Sequence, residues 1–368
     1  MTFVTGSKFR ARAVDHLALA IGTTKGLFFV SDGTIDGPVL TGDPVGAFAQ
    51  LDERFLAAVT RSGRVKLLVS DNGGLSWQEP SAKGLALPEG SGPGLEQLWQ
   101  LHVDRRPTAT GTIWAGAEPA ALFRSKDGGE SFELVRGLFE HPDRASWRSG
   151  PCGLGLHTVV THPERPNRLV VAISSGGIYR SDDGGESWVA CNNGMDAQAT
   201  PGSSEASRCV HKLAVDAGDP DFVWAQTHAG IYRTEDAGDH WATTGHTGEP
   251  NGLPSDFGFP VVSHPEEPST AFVLPLESAV YRCTAGGRCR VFRTTDGGRR
   301  WEALAEGLPG PDAHMTVLRD AFAIASEPPY PLAFGSKSGH VFASLDSGDS
   351  WRLVASYLPP ILCVRVLV

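Results

Sequence analysis

Ser181-Asp182-Asp183-Gly184-Gly185-Glu186-Ser187-Trp188 decides the fold because it recurs. The pattern Ser/Thr-x-Asp-x-Gly-x-x-Trp begins at Ser70, Ser125, Ser181, Thr234, Thr294 and Ser344, with successive starts 55, 56, 53, 60 and 50 residues apart. Two copies depart from it: Asn72 replaces the aspartate in the first, and Phe132 replaces the tryptophan in the second. A nearly constant period of this length marks a repeat architecture. Within each copy the acidic side chain folds back onto backbone N–H groups of its own turn, as Asx turns do. Glycine supplies the positive φ that the hairpin requires. The aromatic residue then opens the next strand and packs between neighbouring sheets.

The flanks repeat as well. Four boxes follow an apolar-aromatic-Arg run, Leu122–Ser125, Ile178–Ser181, Ile231–Thr234 and Val291–Thr294. Around the third box the chain reads as four strands: His157–Thr161, Arg168–Ser174, Gly177–Arg180 and Ser187–Ala190. Pro-containing turns at 161–168, 216–222 and 263–270 join first to second strands. Four antiparallel strands per repeat make a propeller blade. The six boxes mark six blades, and the chain ends supply a seventh. Leu17–Ile21 and Gly26–Val30, with a degenerate box at Ser31-Asp32, resemble second and third strands of a blade spanning 15–42. Its missing innermost strand is the C-terminal run 361–368, which would close the ring and remove two open edges. The expectation is therefore all-β: a single domain over 1–368, a seven-bladed β-propeller of four-stranded antiparallel blades. A six-bladed ring with irregular ends is the alternative.

Composition bounds the function. The 368 residues carry a formal net charge of −10, which argues against a bulk electrostatic role on nucleic acid or an anionic membrane. No apolar run is long enough to span a bilayer, so a cytoplasmic protein is expected. The six cysteines are scattered; Cys283 and Cys289 flank a turn and are read as reduced thiols.

Blade geometry assigns the faces. The box lies between third and fourth strands, so first strands start, and second strands end, at the opposite face around the channel mouth. Trp99, His157, His211, Phe259, Arg319 and Asp320 stand at first-strand starts. Glu118, Ser175, His228 and Glu277 stand at second-strand ends. Imidazole and carboxylate suit a divalent transition metal, and His157, His211 and His228 are the candidate ligands. Glu118, Glu277, Arg319 and Asp320 are the candidate catalytic groups, Arg319 holding an anionic part of a small polar substrate. No organic cofactor is implied. The loop 254–260 is a candidate pocket wall, and Trp147 and Arg148 in the linker 140–155 are a candidate lid.

The boxes resemble the bacterial-neuraminidase (BNR, or Asp-box) repeats of sialidases, sortilin-like domains, xyloglucanases and photosystem-assembly propellers, over 17–368. The stretches 116–132, 209–215 and 253–260 are similar to bacterial Asp-box proteins that carry a glycosyl hydrolase or exo-α-sialidase label. That resemblance implies the architecture more than the activity. A sialidase would need an arginine triad and a tyrosine nucleophile, but Arg124, Arg180, Arg233 and Arg293 precede boxes on the other face, and none of Tyr179, Tyr232, Tyr281, Tyr330 and Tyr357 is placed as a nucleophile at the mouth. The resulting expectation is a sialidase-like propeller with a His/Glu-lined site, acting as a metal-dependent hydrolase or lyase. The alternatives are a non-catalytic protein-binding or assembly propeller, and a glycoside hydrolase using Glu118 and Glu277.

Overall fold

A computed structural model describes residues 17–80, 84–92, 94–149, 153–195, 209–216, 218–245, 247–248 and 252–367. Residues 15–16 of the expected first blade, Cys152 and Val368 lie outside these. The chain forms seven antiparallel sheets arranged as a seven-bladed propeller. Blade 4 is typical: Leu156–Thr161, Leu169–Ile173, Gly177–Ser181 and Val189–Ala190, from the channel outward. Blade 2 is the shortest, with three strands and its fourth reduced to a bridge between Val69 and Gln78. One four-residue helix, Arg136–Phe139, lies in the loop after blade 3.

The ends close as the repeat requires. Ile361–Val366 pairs with Ala18–Thr23, and Gly26–Ser31 and Thr34–Val39 complete blade 1. Each inner strand touches the inner strand of the next blade, and that of blade 7, Val317–Ile324, touches Ile361–Val366. The C-terminal strand thereby supplies the inner strand of blade 1 and completes the circle of seven inner strands.

The boxes hold individual blades and also join them. In all six, the Ser/Thr hydroxyl accepts the N–H of the second glycine position at 2.8–3.0 Å. The Asp or Asn Oδ1 accepts the N–H four residues on at 2.9–3.0 Å. The first glycine position is replaced by Ala237 and Ser347, whose φ angles are +56° and +54°. The second is glycine in all six copies, because it presses on the preceding blade. A Cβ at Gly348 would lie 2.7 Å from Leu304 Cδ1, and one at Gly185 would lie 3.0 Å from Val135 Cγ1. The arginines before the boxes clasp the next blade: Arg180 donates to Ala237 O and Asp239, Arg233 to Gly297 O, and Arg293 to Ser347 O and Asp349. Trp188, buried with Trp114 and Leu122 of blade 3, fills the space between sheets.

Candidate functional site

Every inner strand carries a register shift near its start, at the channel mouth. The residues thrown out of register are Gly46, Trp99, His157, His211, Phe259-Pro260, the run 318–321 and Leu362. A bulge inserts an extra residue and re-aims its side chain. This explains why Trp99, His157, His211 and Phe259 fall at one position of the repeat.

The channel has two funnels. The mouth funnel, about 300 Å³, is lined by Gln97, Trp99, Phe259, Arg282 and Arg319 among others. A larger cavity, about 630 Å³, opens on the box face and is lined by Gln100, His102, Arg105, Arg106, Lys212 and Arg365 among others. Sequence reasoning looked for a site at the mouth and missed this second cavity; the adjacent pair Arg105-Arg106 was its signal. Asp320 stands between the funnels. Its carboxylate pairs with Lys212 and with Arg365 Nη2 at 3.5 Å, and Arg365 also donates to its backbone oxygen at 3.2 Å. Burial alone would raise the Asp320 carboxyl, but Lys212 and Arg365 hold it below the usual range. Burial draws the Lys212 ammonium down, and Asp320 opposes that. The triad ties blades 5 and 7 to the closing strand. It gives Asp320, expected among the catalytic groups, two cationic partners that join blades.

The carboxylates expected to act together stand apart. Glu118 ends a strand of blade 3 and Glu277 follows one of blade 6, on opposite sides of a seven-membered ring. Glu118 accepts Trp99 Nε1 at 2.8 Å and Leu154 N at 2.9 Å, so it anchors the bulge tryptophan. Glu277 is exposed, and its Oε2 accepts Gly286 N at 2.7 Å. Arg319 reaches across the mouth from blade 7. Its guanidinium lies 4.8 Å from the Trp99 ring centroid, and Nη1 donates to Ser174 Oγ in blade 4 at 3.0 Å.

The three histidines divide. His157 is fully buried; Nε2 donates to Val210 O at 2.9 Å and Nδ1 faces Thr158 Oγ1 at 3.0 Å. Both nitrogens are engaged, so His157 is a latch between blades 4 and 5, contrary to the expected ligand role. His211 is equally buried, and Nδ1 donates to Gly258 O of blade 6 at 2.6 Å. Its Nε2 is buried without a hydrogen-bond partner. His228 lies beside it, ring centroids 5.6 Å apart. Burial, then Arg319, pushes His157 well below the ordinary range and His211 down to about 3. Burial, then Arg282, also lowers His228. Cys209 joins the pair: donor atoms of Cys209, His211 and His228 all lie within 4.8 Å of one another. The sequence reading counted Cys209 among scattered thiols and missed it.

The loop 254–260 does wall the mouth, since Phe257 packs on both His211 and His228 and Phe259 lines the funnel. Trp147 is no lid. It is buried, and Nε1 donates to Tyr179 Oη at 2.8 Å. Arg148 is exposed in the same linker, whose residues 150–152 lie outside the described set. Cys283 and Cys289 form no disulfide.

No family model matches the chain. By sequence it is 29% identical over 159 residues to a probable oligoxyloglucan-reducing end-specific xyloglucanase of Neosartorya fischeri, covering 41% of this chain and 18% of that protein. A Paenibacillus xyloglucanase is 28% identical over 178 residues, covering 46% of this chain and 15% of that protein. By structure it is similar to the GH74 xyloglucanase of Xanthomonas campestris, with a TM-score of 0.64, 19% identity, and coverage of 93% of this chain and 53% of that one. These relatives are xyloglucanase-like propellers. The chain thus spans about half of the xyloglucanase structure and under a fifth of the curated relatives. The fold is shared with YCF48 bound to D1 peptide, with a TM-score of 0.51, 14% identity, and coverage of 94% of this chain and 88% of that one. The sialidase-like reading finds no support among these relatives; the glycoside hydrolase alternative does.

Proposed function

We propose that this chain is a glycoside-hydrolase-type propeller that binds a xyloglucan-type glucan at its channel mouth. The observation carrying this is the mouth funnel itself. Trp99 and Phe259 line it beside the guanidinium groups of Arg319 and Arg282 and the amide of Gln97. A sugar presents an apolar ring face and a rim of hydroxyls, and such a pocket suits both. The xyloglucanase relatives name the substrate class. Of the mouth carboxylates Glu118 and Asp320 are committed to structural partners, whereas Glu277 is exposed and is assigned the proton-transfer role.

The test measures xyloglucan-oligosaccharide binding and reducing-end release together. Trp99→Ala is expected to weaken binding by roughly tenfold, and Glu277→Gln to lower release by about 100-fold with binding retained. Protein that neither binds nor releases reducing ends would overturn the reading.

A second reading rests on length. YCF48 matches nearly the whole of both chains, and its described structure carries a peptide. In that reading the box-face cavity, with Arg105, Arg106, Lys212 and Arg365, would receive an acidic segment of a protein partner. Co-purification of a stoichiometric partner, lost on Arg105→Glu, would favour it.

A further inference from the structure

We propose that Cys209, His211 and His228 form a binding site for a thiophilic metal ion, zinc(II) or copper(I). None of its three ligands is assigned to the glucan, although Phe259, Arg282 and Arg319 border both sites.

The hairpin of blade 5 builds it. Val210 pairs with Thr227, and one step further His228 N donates to Cys209 O at 2.9 Å, so Cys209 and His228 face each other across the two strands. His211 is the bulged residue of the same strand, re-aimed by the register shift after Val210. The donor atoms lie within 4.8 Å of one another. Donors around a tetrahedral ion sit roughly 3.3–3.8 Å apart, given bonds of about 2.0–2.3 Å. Small torsional adjustments, chiefly of the partly exposed His228, cover the difference.

The second observation is the orientation of His211. A carbonyl oxygen only accepts, so Nδ1 carries the proton in the bond to Gly258 O. Nε2 is then the lone-pair nitrogen. It is fully buried and has no hydrogen-bond partner, and His211 is one of the three clustered residues. Metal-ligating histidines show this same arrangement, one nitrogen tied to a backbone carbonyl and the other on the ion. A buried acceptor without a partner costs free energy, and a bound cation would remove that cost. Phe257 and Phe259 pack on the His211 ring at 5.4 and 5.0 Å and limit its rotation.

Charge selects the ion. Arg319 and Arg282 act electrostatically on His211, and the Arg282 guanidinium lies 5.7 Å from the Phe259 ring. Neutral donors alone would leave a cation facing two guanidinium groups. A Cys209 thiolate supplies the compensating charge and favours a soft ion over magnesium or calcium. Three protein donors leave a coordination position for water or an exogenous ligand.

The full chain is titrated with zinc(II) against a competing chelator, and separately with cobalt(II) followed by absorption. One equivalent of either ion is expected, with a thiolate-to-cobalt charge-transfer band. Cys209→Ser should abolish that band and weaken zinc binding by at least about 100-fold. His228→Gln, which removes no interblade latch, should weaken zinc binding comparably while the chain stays folded by circular dichroism. A wild-type chain that takes up no ion overturns the proposal, as does uptake unchanged in both variants. Glucan binding measured on the same variants should be unaffected, so the two readings fail separately.

Discussion

His157 in blade 4 and His211 in blade 5 occupy the same bulge, are equally buried, and each donates a ring N–H to a carbonyl on the next blade's inner strand. They differ in which nitrogen makes that bond, Nε2 in His157 and Nδ1 in His211, and so in which one is left over. Thr158 follows His157 and offers its hydroxyl to Nδ1. Lys212 follows His211 and turns to Asp320, while the opposite ring orientation leaves His211 Nε2 with no hydrogen-bond partner. A repeated scaffold thus yields a closed structural histidine in one blade and an open one in the next. The orientation of the ring decides which nitrogen is left over, and the neighbouring side chain reaches only Nδ1.

The largest way to break this comparison is at Lys212 itself. Lys212→Met leaves the buried Asp320 carboxylate with Arg365 as its ion-pair partner and the charge of Arg319 nearby, and removing one partner of a buried pair costs about 3–5 kcal/mol. Denaturant unfolding should register that loss near neutral pH. Because the folded Asp320 carboxyl is held low, the stabilisation it carries is present above the unfolded carboxyl pKa and is lost as pH falls through the folded value. The wild-type advantage over the variant should therefore shrink in acid.

Next come the two histidines. His157→Ala should cost about 3 kcal/mol, since it opens a buried cavity and strands both Val210 O and the Thr158 hydroxyl. His211→Ala strands only Gly258 O and removes an unsatisfied nitrogen, so it should cost about 1 kcal/mol less. Equal losses in paired thermal melts would erase the distinction. A finer probe is Thr158→Val, which leaves His157 Nδ1 without its hydroxyl partner; about 1–2 kcal/mol should be lost, read in the same melts.

The smallest effect is expected at a box. Asp183→Asn should change stability by no more than about 0.5 kcal/mol, because Asn72 already fills the same acceptor role in blade 2. Hydrogen bonds from the Ser187 side chain and backbone hold the Asp183 carboxyl down to about 2. Its contribution is thus present above the unfolded carboxyl pKa and fades as pH falls toward 2; the variant should lack that part of the acid transition.

The ring is legible in the amino-acid sequence. The boxes, their spacing and the unpaired ends at 17–30 and 361–368 specify blades, box hydrogen bonds and closure, because those contacts are local and repeat. The candidate site was readable only as a set of residues near one mouth. The aligned register of His157 and His211 pointed correctly to a shared backbone feature, yet no periodicity reveals a bulge as such. Glu118 and Glu277 looked equivalent along the chain. Pairing assigned one to a tryptophan and its neighbouring loop, and ring closure set the other three blades away. Cys209 gained meaning only when the hairpin set it against His228.

By itself, then, the sequence determined the architecture, since each blade is a local unit whose turn chemistry repeats in the chain. Tertiary structure alone decided which polar groups are spent on holding blades together and which remain available. That depends on contacts between residues from 19 to more than 100 positions apart, such as Trp99 with Glu118, His157 with Val210 and Lys212 with Asp320. A one-dimensional repeat places such residues at similar registers, but only the closed ring brings particular pairs into hydrogen-bonding distance.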